Sequence, residues 1–534
     1  MEQQQRIYPI GVQNFESLRK DGYVYIDKTA LIHQLVSSGR YYFLSRPRRF
    51  GKSLLLSTLE AYFQGKRELF EGLAMERLET EWAEYPVFHI DFNGDNFTLP
   101  GTLEQKLETR IAVWEGEYGK DDRMVTIGDR FAHVLSQAHK RHGRRCVVLI
   151  DEYDKPILDV LDTGLKTTLG GDTRLLEDWN REVLKGFYSV FKAADDDLQF
   201  VLLTGVTKFS QVSVFSGFNQ PNDISMDAQY EALCGITQDE LDRYFAEPIE
   251  ELAKKYRTTP EGMREKLKFR YDGYHFSDNL TDVYNPFSLL NAFAKLQLRD
   301  YWFSSGTPSY LIRLLNHTKE DLNELTGRYY RPEEFIDYKA DVEKPLPMIY
   351  QSGYLTIKNY DLDFGTFLLD FPNNEVKNGF VSLVASDYLK PREDMGSWIR
   401  SVVIALRAGD LEQLRQLFTS FLAGIPYTMR SKSGESEKER FFHYTFYLIF
   451  RLVSVYTVYT EKEQSQGRSD CIVETDSNVY IFEFKRDGSA DDALAQIEAK
   501  GYARPYAADP RRLYKIGVNF SSQTGTVEEW KVKE

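Results

Sequence analysis

The sequence predicts an α/β fold, a doubly wound sheet followed by a second, smaller α/β domain at the C-terminus. Three observations carry that expectation. Apolar runs of strand length at Tyr41–Leu44, Val87–Asp91, Cys146–Ile150 and Phe200–Leu203 alternate with helical patterns, as strands joined by crossover helices do. The first of these runs feeds SRPRRFGKS (45–53) and then a helical pattern, the order strand, tight loop, helix that a phosphate-binding loop needs. The last hundred residues add a separate hairpin with charged residues on one face and aromatic residues on the other.

At roughly 100–200 residues per domain, 534 residues make two to four domains. Hydrophobic content of 42% and charged content of 28% are those of a globular protein. The polar start MEQQQR has no signal-peptide core and no apolar run reaches membrane-helix length, so a cytoplasmic protein without membrane contact is expected. Cys146, Cys234 and Cys471 lack metal-site spacing and read as buried free thiols. A net charge of −14 argues against coating nucleic acid non-specifically, although a local cationic groove remains compatible with it.

Taken in order, Tyr23–Ile26 reads as a strand, and Asp27-Lys28-Thr29 opens a helix to about Ser38 with Asp27 or Thr29 as its cap. At 45–53, backbone N–H groups at a helix N-terminus face phosphates, Lys52 neutralises β/γ charge, and the Ser53 hydroxyl ligates Mg²⁺. Arg46 stands where the general pattern has its first glycine, and Arg48 and Arg49 add two cations, so one or more of the three is expected at the phosphates beside Phe50 and Gly51. The helix has apolar positions at Leu54, Leu55, Leu59, Tyr62 and Phe63 and stops near Gly65. Cys146–Ile150 reads as a strand buried on both faces and ends in Asp151-Glu152. An acid there can hold the Mg²⁺ water shell, and a second can polarise the water that attacks the γ-phosphate. Phe200–Leu203 ends in TGVTK, from which Thr204, Thr207 or Lys208 is expected to sense the γ-phosphate. From Thr237 the pattern turns helical, and the aromatic segments at 271–277, 283–290 and 301–312 suggest a lid or winged-helix-like subdomain. Boundaries are placed at 1–236, 237–340, a connecting region 341–430, and 431–534, the last after the linker-like Gly424–Glu435.

In the C-terminal part, Glu439–Val453 reads as a helix with Glu439 and His443 one turn apart. Strands Asp470–Glu474 and Val479–Lys485 flank the Thr475–Asn478 turn. A two- or four-residue turn pairs Glu474 with Val479 and sets Asp470 opposite Glu483 on one face. Glu483 and Lys485 share that face, while Tyr480, Phe482 and Phe484 share the other. Two carboxylates there can bind a divalent metal, with Glu439 completing the site. Lys485 can orient or deprotonate a water, and Gln496, on the helix Ala490–Tyr502, can hold that water or the substrate backbone. An E-x-K strand is more often an exposed ion-paired face, but a strand reading VYIFEF should not carry two charges without a reason.

YIDKT (25–29), SRPRRFGKS (45–53), VVLIDEYDKPI (147–157), LLTGVTKFS (202–210), GRSD (467–470), IFEFK (481–485) and the Gln496 helix together resemble a bacterial family that pairs an AAA-ATPase-like domain with a PD-(D/E)XK nuclease-like domain. The resemblance spans nearly the whole chain, and Arg46 is part of that family's own loop. It implies an ASCE-type P-loop sheet with Lys52 and Ser53 on phosphates and Mg²⁺, Asp151 on Mg²⁺ and Glu152 as the water-polarising acid. It also implies a restriction-endonuclease-like fold with Asp470, Glu483 and Lys485 as its core and Gln496 as accessory.

The expected function is a metal-dependent nuclease regulated by ATP, with Mg²⁺ or, at the nuclease site, Mn²⁺. Nucleic acid, DNA before RNA, is the expected partner, and a homo-oligomer is allowed. From residue 431 on the chain carries 15 basic and 17 acidic residues, so the acidity lies mainly in the nucleotide-binding part, and Arg504, Arg511, Arg512 and Lys515 can flank a groove. The alternative is a signalling or assembly ATPase whose C-terminal fold binds nucleic acid or a partner without cutting.

Overall fold

The computed structural model describes residues 6–169, 171–209, 221–305, 325–336, 345–389, 395–424, 458–459, 463–464, 467–468, 471–521 and 526–534. The chain divides into two compact units, Met1–Val376 and Lys377–Glu534.

The first unit is organised by a five-stranded parallel sheet: β1 (Tyr41–Ser45), β2 (Val87–Asp91), β3 (Cys146–Asp151), β4 (Leu198–Gly205) and β5 (Asn222–Asp223). Spatial order is β2-β3-β4-β1-β5, so β4 stands between the strand that feeds the glycine–lysine–serine loop and the strand that ends in Asp151. β3 is buried along its whole length, which its unbroken apolar run requires of a central parallel strand. All strand C-termini lie on one edge, where open α/β sheets bind ligands. Helix α1 (Lys52–Phe63) follows the loop. The two-residue β5 is too short and polar to carry a periodic signal.

Tyr23–Ile26, expected as a strand, makes only a single bridge, Tyr23 to Ile7, because it meets no edge of the sheet. The helix after it starts at Thr29 as expected, with Asp27 accepting from Thr29 N and Oγ1. Helix α2 (Gln238–Lys255) begins with a reciprocal capping box between Thr237 and Glu240. Its apolar face joins a cluster that includes Leu241, Phe245, Ile249, Met263, Tyr271 and Phe293. β6 (Arg328–Tyr330), β7 (Thr356–Asp361) and β8 (Thr366–Asp370) form a small antiparallel sheet.

In the second unit, the helices Met395–Ala408 and Leu411–Gly424, read from the sequence as part of a connecting region, belong to the same compact body as the C-terminal sheet. That sheet runs β9 (Val458–Tyr459), β10 (Cys471–Glu474), β11 (Asn478–Arg486), β12 (Arg512–Phe520) and β13 (Val527–Lys533), with only β11 and β12 parallel. Helix α3 (Ala490–Lys500) is the crossover between them. Glu474 pairs with Val479 and Cys471 with Phe482, the register the turn predicts. All three cysteines are free and buried. Among the described residues no helix is long and apolar enough to cross a membrane.

Candidate functional site

The loop 45–53 leaves β1 and enters α1 through a tightly wound backbone. Arg49 and Gly51 have φ of 68° and 96°, and Glu152, directly after β3, has φ of 51°. Left-handed torsions at these two non-glycine residues cost energy, and both fall where two strand ends converge.

The side chains converge as well. Lys52 is 4% exposed, and its ammonium donates to the carbonyls of Arg46 (3.1 Å) and Pro47 (3.4 Å) and lies 3.5 Å from the Glu152 carboxylate. Asp151, 2% exposed, accepts from the Thr204 hydroxyl at 2.7 Å and from Glu152 N at 3.0 Å. Burial pushes the Asp151 carboxyl up, with the neighbouring Glu152 charge adding to it, while Ser53, Lys52 and Thr204 oppose the rise. A hydroxyl and a carboxylate oxygen at one point are the hard donors Mg²⁺ takes.

This centre opens into a cavity of about 510 Å³ whose wall includes Arg48, Arg49, Lys52, Ser53, Glu152 and Lys155. Its volume lies within the range of small-molecule sites. Lys155, paired with Asp159 at 2.7 Å, has no signal in the sequence beyond its place three residues after Asp151-Glu152.

Arg46 goes elsewhere. It is 1% exposed, and its guanidinium donates to the carbonyls of Ser45 (2.9 Å), Ser225 (2.7 Å) and Tyr230 (3.2 Å) and lies 4.1 Å over the Phe276 ring. The expectation that it belongs with the nucleotide-binding residues is therefore at odds with its placement: neither Arg46 nor any of these partners lines the cavity. Phe50 is also buried, edge-on to Tyr274 and Phe276, so it anchors the loop from below.

Sequence reasoning also left Tyr153 and Asp154 without a role. Asp154, fully buried, accepts from Val206 N (3.0 Å), Thr207 N (2.6 Å) and the Thr207 hydroxyl (2.7 Å). Tyr153 Oη donates to Thr207 O and accepts from Phe209 N. Burial and the Glu152 charge raise the Asp154 carboxyl above its ordinary range. Together they lock the end of β3 to the end of β4, and only glycine fits at 205, since a Cβ there would meet Asp154 Oδ1 at 2.6 Å and the Tyr153 ring at 2.7 Å. Of the three candidate γ-phosphate sensors, Thr204 is turned to Asp151, Thr207 to Asp154, and Lys208 to Asp223 at 2.9 Å.

In the second unit, Tyr480, Phe482 and Phe484 stack along one face of β11. Glu483 and Lys485 lie on the other, beneath α3. Gln496 bridges them: its amide nitrogen donates to Glu483 Oε1 and its oxygen accepts from Lys485 Nζ at 2.5 Å, with Lys485 and Glu483 3.8 Å apart. Glu483 pairs with Gly517 on β12, and a Cβ at 517 would meet Ala490 O at 2.3 Å. That glycine lets α3 settle onto the sheet, which puts Gln496 over Glu483. Asp470 and Glu439 lie outside the described residues, and among those described no group of three or more His, Cys, Asp or Glu is placed to hold a metal ion. Of the basic residues expected to flank a groove, Arg504 and Arg512 are exposed, Arg511 is tied to Glu474 and Asp509, and Lys515 to Glu498.

Residues 9–215 match a family model described as "Predicted AAA-ATPase", and residues 437–530 match one described as "PD-(D/E)XK nuclease superfamily". The chain is 35% identical over 525 residues to an "Uncharacterized protein in vnfD 5'region" of Azotobacter chroococcum mcd 1, covering 97% of each chain. The chain thus belongs to the family that joins a predicted AAA-ATPase domain to a domain of the PD-(D/E)XK nuclease superfamily.

Proposed function

We propose that the protein binds and hydrolyses ATP at the β1–β3–β4 edge and uses it as a conformational switch for phosphodiester cleavage of nucleic acid, DNA before RNA, at the Glu483–Lys485 centre. The observation that carries this reading is the Glu483–Gln496–Lys485 contact: a nearly buried carboxylate, an amide and an ammonium drawn together on one face of an apolar strand. Burying a carboxylate such as Glu483 without a task is costly. The strand order, with β4 between β1 and β3, supports an ASCE-type sheet.

At the first centre Lys52, Arg48 and Arg49 neutralise the triphosphate, Ser53 and Asp151 hold the metal, and Glu152 orients and accepts a proton from the attacking water. At the second, Glu483 serves as a metal ligand with Asp470 and Glu439, Lys485 orients or deprotonates the water, and Gln496 fixes the direction of both side chains. Divalent metal supplies charge neutralisation at phosphate and a more acidic water.

The test incubates linear and circular DNA, and RNA, with Mg²⁺ or Mn²⁺ and with or without ATP. Cleavage is expected to fall at least about a hundredfold in Lys485→Ala, the scale on which losing one such group acts, and to change with ATP only while Lys52 is intact. Cleavage that persists in Asp470→Ala/Lys485→Ala removes the nuclease assignment. Nucleotide-dependent oligomerisation with no cleavage under any condition favours the signalling or assembly reading.

A further inference from the structure

A run of cations that neither centre uses is HKRHGRR, His139–Arg145. It occupies the last turn of the helix Ile127–His142, breaks at Gly143, whose φ of 67° is left-handed, and feeds β3. It therefore lies at the N-terminal edge of the parallel sheet, opposite the edge that carries Lys52. Lys140, Arg141, Arg144 and Arg145 are all exposed.

The chain has 81 acidic residues against 67 lysines and arginines, so a surface cation has carboxylates in excess to pair with. Among the described residues none of these four does so. Arg141 donates to the Glu117 carbonyl at 2.8 Å and lies 5.9 Å over the Tyr118 ring, and Arg144 lies 5.3 Å over the Tyr85 ring. Asp195 and Asp197, set just before the neighbouring β4, go instead to Arg40, to the Tyr41 hydroxyl and to His139. A helix C-terminus favours Lys140 and Arg141 where they are. Arg144 and Arg145 lie past the helix and gain nothing from it, while four like charges so close together repel one another.

A guanidinium resting on a tyrosine ring is held in orientation, and its N–H fork matches the oxygens of a phosphate. HKRHGRR contains no apolar side chain that could enter a bilayer, which favours a phosphodiester backbone over a lipid surface. Resting on the nucleic-acid reading above, we infer that His139–Arg145 is a docking surface for the backbone of the DNA substrate, held by sequence-independent contacts from Lys140, Arg141, Arg144 and Arg145. The net charge of −14 keeps DNA off the rest of the surface and confines it to this patch. Because the patch and the phosphate loop stand on opposite edges of the sheet, DNA and ATP bind together.

Fluorescence anisotropy of labelled duplex DNA, titrated with the full chain without divalent metal so that no strand is cut, tests this between about 50 and 200 mM salt. Lys140→Gln/Arg141→Gln/Arg144→Gln/Arg145→Gln should weaken DNA at least about tenfold and flatten the dependence of log affinity on log salt by about three to four. Its ATP affinity by calorimetry should stay within about twofold of wild type. Lys140→Gln/Arg145→Gln, which removes no hydrogen bond among the described residues, should flatten the same slope by about two and decides the matter if the fourfold variant does not fold. The inference is overturned if wild type binds no DNA, or if both variants keep its affinity within about twofold and its salt slope. Binding to phosphatidylserine vesicles in place of DNA, lost in the same variants, also overturns it and makes the occupant an anionic bilayer. Failure of the nuclease reading looks different: wild type then binds DNA through the patch and cuts none with any metal.

Discussion

Replacing Arg46 with alanine separates two roles that its place in the loop makes easy to confuse. Its guanidinium makes three hydrogen bonds to the carbonyls of Ser45, Ser225 and Tyr230 and packs on Phe276, none of which lines the large cavity beside Lys52. Charged hydrogen bonds contribute about 1.5–3 kcal/mol each when one partner is removed, and a desolvated cation–π contact about 2 kcal/mol. These terms are not additive, because water can enter the space left behind. Loss of a buried, hydrogen-bonded charge of this kind costs about 3–5 kcal/mol. With about 2.1 cal/mol/K of unfolding entropy per residue, a loss near the middle of that range lowers the melting midpoint of the 376-residue unit by about 5 °C. Differential scanning calorimetry should show this downshift, while calorimetric titration of the folded variant at low temperature should give ATP affinity within about threefold of wild type. An Arg46→Ala protein that melts as wild type does but no longer binds ATP would refute the reasoning, since the guanidinium would then have to leave its carbonyl cage for the phosphates.

Two further perturbations act on other parts of the chain. Gly517→Ala should lift α3 from β12, since its Cβ would meet Ala490 O at 2.3 Å; Gln496 then loses Glu483, and nucleic-acid cleavage should fall at least about tenfold while circular dichroism still reports a folded chain. Glu375→Gln should remove a pH dependence of stability. The Glu375 carboxyl accepts from Trp302 N at 2.6 Å, and burial raises it from 4.5 to about 7. The folded state therefore binds this proton at higher pH than the unfolded state, so the group's stabilising share is complete below 4.5 and is lost as pH rises through about 7. At about 1.4 kcal/mol per pH unit, wild type should lose about 3 kcal/mol across that window relative to Glu375→Gln in denaturant titrations run from pH 4.5 to 8. Parallel profiles for the two proteins would show that the carboxyl is not titrating there.

Much of the site was legible because it is written in short segments. The strand–loop–helix order at 41–63, the buried run ending in Asp151-Glu152, and the hairpin register around Thr475–Asn478 each follow from periodicity and turn length within about twenty residues. Alternation along 479–485 likewise dictates which side chains share a face, and the stacked Tyr480, Phe482 and Phe484 obey it. Tertiary structure decided where long polar side chains end. Arg46 is claimed by carbonyls at 225 and 230, Lys28 by Glu240, and Trp302 Nε1 donates to Arg48 O across 254 positions of sequence. Tyr153 and Asp154 bind the end of a strand some fifty residues away. A flexible side chain on a loop can reach several surroundings that local propensity leaves equal in energy. Which one it takes depends on the buried acceptors that the folded chain brings within about 3 Å. The local pattern of this sequence thus determined which candidate residues cluster in each unit, and the packing of distant segments determined which charges join those clusters and which hold the fold together.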